Sequence, residues 1–165
     1  MQLQLPTFET LIDKFPHNRF GDTLVKKTIG GLVNADYVSN TCAVRISRGL
    51  NYAGKEHQIP RDIPNPGGKV VPGDDKLRYI LTVKVMKDYL KWRYGNPKVS
   101  IIIKKNQPTN VSAVFNTKGI ICFDTSIWVD ATGHFTLWDG ADILSGNHNM
   151  QYYFAHADAI YIWPC

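Results

Sequence analysis

A chain of 165 residues with 44% hydrophobic residues has the size of one domain and enough apolar material for one core, so a single domain over 1–165 is expected. Nineteen Lys and Arg against 14 Asp and Glu give a formal charge of +5 and a pI near 9.1, which suits an anionic partner such as nucleic acid, cell-wall polymer or an acidic protein without choosing among them. No window approaches eighteen consecutive apolar residues, which argues against membrane insertion, and three widely spaced cysteines, Cys42, Cys122 and Cys165, make neither a zinc pattern nor a disulfide framework.

The amino-terminal stretch MQLQLPTFETLIDKFPHNRF has no basic start, no continuous apolar run and no small-residue cleavage site, so export by a signal peptide is not expected. Phe8, Leu11, Ile12 and Phe15 follow the spacing of a short amphipathic helix that Pro16 ends. Ala43, Ile46, Leu50 and Ala53 repeat that spacing. Asn40 or Thr41 can cap the start and Gly54 suits the position past the end, so Cys42 falls in a first helical turn. Four prolines and three glycines within the seventeen residues 59–75 predict a long surface loop without regular structure. A second core helix is predicted over Leu81–Tyr94, with Val85, Met86, Tyr89, Leu90 and Tyr94 on one stripe and Gly95 closing it. Strand-like runs follow at 99–103, 111–115, 119–123, 134–138 and 159–163. Helices first and an antiparallel sheet second make an α+β layout, with the Cys42 helix packing across the sheet.

An early helical position supplies N–H groups and the positive end of the macrodipole, which favour a thiolate at Cys42, reactive toward iodoacetamide well below pH 8. Such a thiol needs a base, usually a histidine distant in sequence, and a group that orients the imidazole. Of the five histidines, His17 and His57 lie in polar loops and His148 and His156 in irregular stretches near the end. His134 alone opens a clear strand, after Gly133, with Thr136 and Trp138 on its face and Phe135 and Leu137 on the other.

Two segments, NTCAVRIS with Leu50-Asn51-Tyr52-Ala53-Gly54, and the run from Trp128 to Gly140, together with the upstream Ile29-Gly30-Gly31, resemble the type VI secretion amidase effectors, fourth family. The resemblance covers the chain from about Ile29 to the Ile160–Trp163 strand. It implies a papain-like fold of the NlpC/P60 type, with the nucleophile helix of a helical amino-terminal half packed on a small antiparallel sheet. It also implies a cysteine-dependent peptidoglycan amidase, a DL-endopeptidase that cuts the amide between γ-D-glutamate and meso-diaminopimelate in stem peptides. Carried over by motif, Cys42 is the nucleophile and His134 the general base, with no cofactor and no metal. The implied partners are the type VI secretion machinery, which carries the chain into the periplasm of a target bacterium, and a cognate immunity protein whose acidic face would suit this basic chain.

The sequence departs from the family eleven positions beyond the histidine. An acidic residue in a cysteine-bearing loop is expected there, and this chain has Ser145 with no cysteine nearby. A two-residue turn at Asp139-Gly140 would set His134 opposite Ser145, whereas a loop over Asp139–Asp142 would set it opposite Asn147. Asn147 is the chemically better orienting residue, Ser145 is shorter, Asp142 would sit in the loop itself, and a further slip brings His148 or Asn149.

Simpler roles compete at other positions. Cys122 reads as core, Cys165 as a terminal thiol, Trp128 and Trp138 as packing residues, Lys84, Lys87, Lys91, Lys104 and Lys105 as solvated faces, and Asp139-Gly140 as a turn. Arg45 suits either a structural salt bridge or a substrate carboxylate. No stripe of interleaved aromatic and basic residues marks a nucleic-acid surface. Two rival readings remain: a papain-like deamidase or acyltransferase toxin acting on a protein, and a non-catalytic basic wall-binding module.

Overall fold

The computed structural model describes residues 2–128 and 131–165, so Val129 and Asp130 of the second motif lie outside the described residues. Helix α1, Phe8–Lys14, starts at the Thr7 hydroxyl, which accepts from the Thr10 N–H, and it buries Phe8 and Leu11. Helix α2, Asp22–Ile29, is absent from the sequence prediction. It buries only Val25 and Ile29 and begins at Gly21 without a side-chain cap, so neither periodicity nor capping announces it. Helix α3 runs Cys42–Asn51 and ends at Tyr52, two residues before the predicted Gly54 stop.

The 59–75 segment does not stay irregular. Strand β1, Val70–Pro72, pairs antiparallel with β2, Arg78–Ile80, and Val71 is buried beside Tyr79. A hairpin of two strands has only edges, and an edge tolerates the missing N–H of Pro72. Helix α4, Val83–Tyr94, accepts the Val85 N–H on the Thr82 hydroxyl and closes at Gly95 with φ 93°, as its sequence predicts. His57 is buried against Tyr94 at the end of a 3-10 turn, not free in a polar loop. Lys87 is half-buried and paired with Asp124, so it leaves the solvated face that Lys84 and Lys91 keep.

Strands β3 (Val99–Ile102), β4 (Gly119–Asp124), β5 (Gly133–Trp138) and β6 (Ala159–Pro164) form one antiparallel sheet in the order β3-β6-β4-β5. The run 111–115 is a 3-10 turn over Ser112–Val114 instead of a strand. The Asn110 side chain accepts from the Ser112 N–H and starts the turn, and within it Val114 is buried. Helix α5, Met150–His156, replaces the predicted irregular stretch and is capped by Asn149, whose carbonyl oxygen accepts from the Tyr152 N–H.

The period of two along each strand sorts the core into layers. Ile120, Cys122, Phe135, Leu137 and Trp163 face α1, α3 and α4. Ile121, Phe123, Trp138, Ile160 and Ile162 face Tyr153 of α5 and Val114. Both faces of the sheet are therefore covered by helix or turn, and β5 forms one edge, beside the start of α3. Among the described residues no helix is long and apolar enough to cross a membrane.

Candidate active site

Helix α3 sits between the sheet and α1, and Cys42, Ala43, Ile46 and Leu50 are buried on its inner stripe. Its first turn is capped by Asn40, whose side-chain oxygen accepts the Cys42 N–H at 2.9 Å. The adjacent Thr41 hydroxyl donates to the Asp22 carboxylate and accepts from Arg45 Nε. The Phe135 and Ala43 N–H groups lower the pKa of the Cys42 thiol, but burial outweighs them and pushes it up to about 11. Cys42 is only 5% exposed. The helix terminus that predicts a thiolate is present, and desolvation overrides it.

His134 lies on β5 with 6% exposure. Its Nε2 lies 2.7 Å from the Ser145 main-chain oxygen. A carbonyl can only accept, so Nε2 carries the proton and Nδ1 keeps its lone pair as the basic atom. Burial pulls this imidazole down to about 4, against the raising effect of the Ser145 carbonyl. The ring stacks on Tyr153, centroids 4.4 Å apart and planes at 11°. Cys42 and His134 line one cavity of about 280 Å³, together with Asp22, Asn40, Trp128 and Asn147. A second, larger cavity of about 810 Å³ meets the first at Asn40, Cys42 and Trp128, with Lys69 and Lys84 in its wall.

The hairpin after β5 takes the longer loop. Asp139 N–H donates to Asp142 O, Trp138 bridges to Ile143, and Leu144 N–H donates to Leu137 O. A continued ladder would then face His134 with Asn147. It stops at Ser145, because the Ser145 N–H donates to the Thr136 hydroxyl at 2.9 Å and not to the strand. Ser145, 1% exposed, is thereby turned so that its carbonyl meets the imidazole. Asn147 borders the cavity with an exposed side chain, and its N–H donates to the Tyr153 hydroxyl at 3.1 Å. Asp142 is exposed in the turn and accepts from the Ile143 N–H. His148 stacks on Tyr152 at 3.7 Å, and Asn149 caps α5. Asp139 is a turn residue, its carboxylate accepting from Ala141 and Asp142.

Two site residues escape the sequence reading. Tyr153 lies on a helix whose only fully buried side chain is its own, so it leaves no periodic signal. Gly146 has φ 158°, and a Cβ there would stand 2.6 Å from the Tyr153 hydroxyl and 3.0 Å from His134 Nε2. A glycine twelve residues after a candidate base, next to Ser145, is the one trace it leaves. Arg45 takes the structural role. Its guanidinium donates to the carbonyls of Pro16, His17 and Phe20 and to Asp22, and Asn18 in that tethered segment accepts from the Gly146 N–H at 2.6 Å. Cys122 is fully buried, Cys165 partly so, and all three cysteines are free thiols. Among the described residues no group of His, Cys, Asp and Glu could hold a metal ion.

Residues 38–163 match the family described as type VI secretion system (T6SS), amidase effector protein 4. Similar solved structures include Tae4 in the Tae4–Tai4 effector–immunity complex of Salmonella Typhimurium, with 28% identity over 98% of this chain and 99% of that one and a TM-score of 0.80. Tae4 from Enterobacter cloacae is similar at 30% identity over 99% of each chain with a TM-score of 0.76, and in the Enterobacter cloacae Tae4–Tai4 complex the values are 29%, 98% and 99%, and 0.78. No curated protein matches the sequence.

Proposed function

The chain belongs to the type VI secretion amidase effector protein 4 family, and from that premise we propose that it hydrolyses the γ-D-glutamyl–meso-diaminopimelate amide of peptidoglycan stem peptides with Cys42 as nucleophile and His134 as base. The reading extends to a papain-like fold of the NlpC/P60 type acting as one domain over 1–165. The chain is carried by the type VI machinery into the periplasm of a target bacterium and restrained by a cognate immunity protein, as Tae4 is found with Tai4. The observation that carries it is the convergence of a buried thiol and a tautomer-defined imidazole on one cavity, from elements far apart in sequence.

A neutral thiol beside a neutral imidazole favours transfer within the attacking step. As the sulfur of Cys42 bonds to the γ-glutamyl carbonyl carbon, its proton passes to His134 Nδ1, and the carbonyl oxygen takes the negative charge. The Ser145 carbonyl stabilises the imidazolium so formed through the Nε2 proton. Nδ1 then protonates the departing diaminopimelate amine, the C–N bond breaks, and a thioester remains. Water then attacks the thioester carbonyl and gives one proton to neutral His134, the C–S bond breaks as the imidazolium passes that proton to the departing sulfur, and the glutamyl product leaves as an acid that ionises in solvent.

Mass spectrometry of sacculi digested with the purified protein tests the proposal by naming the bond. New diaminopimelate amino groups are expected with the wild type, none with Cys42→Ala or His134→Ala, and suppression by a stoichiometric cognate immunity protein. Undiminished release by folded Cys42→Ala would refute the thiol mechanism.

A further inference from the structure

We propose that Asn40 is a catalytic residue whose side-chain Nδ2 donates a hydrogen bond to the oxyanion, in place of the Cys42 main-chain N–H. The inference rests on the amidase reading above and adds a residue to it. A nucleophile at a helix start ordinarily offers its own N–H to the developing oxyanion. Here that N–H is already taken, 2.9 Å from Asn40 Oδ1.

The same bond orients the amide. An N–H must meet an acceptor, so the Asn40 atom facing Cys42 is the oxygen, and the two Nδ2 hydrogens point the other way. Among the described residues no protein acceptor receives them. Asn40 is half-buried and borders both cavities that meet at Cys42, so Nδ2 is within reach of a group held there. Anchored at its oxygen, the amide is a donor fixed before substrate arrives, which is the arrangement that stabilises developing charge most.

The competing donors are committed elsewhere. The Phe135 and Ala43 N–H groups address the sulfur itself. All five N–H of Arg45 have acceptors: Nε on Thr41, Nη1 on Pro16 and His17, Nη2 on Phe20 and Asp22. The side-chain amides of Asn18 and Asn147 also line the smaller cavity, but Asn40 is the one anchored on the nucleophile's own N–H, and among the described residues its Nδ2 has no protein acceptor.

Capping and donation separate by substitution. Asn40→Asp keeps the acceptor for Cys42 N–H and caps a helix as well as asparagine does, but it has no hydrogen to donate. Asn40→Ala loses both functions and adds no charge beside the thiol. Both variants are expected to lose kcat by a factor on the order of 10²–10³, the usual cost of one oxyanion donor, with KM changed much less. Iodoacetamide alkylation of Cys42 in Asn40→Ala is expected at the wild-type rate, since that reaction forms no oxyanion. Near-wild-type kcat in either variant overturns the proposal, as does a loss of kcat matched by an equal loss of alkylation rate. Cys42→Ala is assayed alongside: turnover there sinks the amidase reading, whereas an inactive Cys42→Ala with an active Asn40→Asp sinks only the role of Asn40.

Discussion

Burial moves the two groups proposed to react toward their neutral forms from opposite directions, Cys42 up to about 11 and His134 down to about 4. Both directions follow from desolvation, which penalises thiolate and imidazolium alike. The acid limb of the rate profile is therefore expected near pH 4 and not near the ordinary 6.5 of histidine, because in the proposed mechanism His134 accepts a proton from the thiol only while Nδ1 is free. Stability follows the same group. Between 6.5 and about 4 the unfolded chain binds the proton and the folded chain does not, so stability is lost as pH falls through that window. A pKa of about 4 in the folded chain against 6.5 in the unfolded one makes that loss on the order of 3 kcal/mol. A His134→Gln variant melted across pH 4–7 is expected to show a shallower acid decline than wild type, and parallel declines would count against this linkage. The placement of Cys42 at a helix start and of His134 near a strand start was legible in the sequence, because both are local patterns. The Ser145 carbonyl was not, since every residue carries one and only the diversion of the Ser145 N–H to Thr136 aims it.

Helix α5 shows what an element can do without a periodic signature. Seven residues long, it presents Tyr153 to the imidazole on one side and to the Asn147 N–H on the other, so that it orders both β5 and the loop after it. Gly146 lets these parts come together. Its φ of 158° and the crowding of any Cβ by Tyr153 and His134 leave no room for a side chain. Gly146→Ala is expected to displace the imidazole and lower kcat at least tenfold, with an altered His134 ring signal by NMR; unchanged turnover would mean that the loop relaxes at no cost. Elements whose apolar residues recur at a regular spacing, α1, α3, α4 and the four strands of the sheet, were readable from it. Others were not: α2 has no side-chain cap, and the 111–115 run reads like a strand while Asn110 turns the backbone into a 3-10 helix.

Across the whole molecule, Arg45 joins regions that the sheet does not. From α3 it holds the carbonyls of residues 16, 17 and 20, and that segment in turn holds Gly146 through Asn18. Arg45→Met would strand a carboxylate and three carbonyls around an apolar side chain. A loss of about 3–5 kcal/mol is expected, and at roughly 2–4 °C per kcal/mol for a chain of this size the melting temperature should fall by about 10 °C. A calorimetric scan within about 2 °C of wild type would show that the network contributes little. The α+β order of elements was visible in the pattern of apolar residues, but this tie was not, because its acceptors are main-chain atoms. The bond from Gly146 to Asn18 spans 128 positions of sequence. Closing so long a loop costs entropy that local helices and hairpins do not, so contacts of this kind form late. A folding chain is thus expected to form its thiol helix before the wall around it, so that enclosure of the cavity reports that segments near both ends of the polypeptide have met.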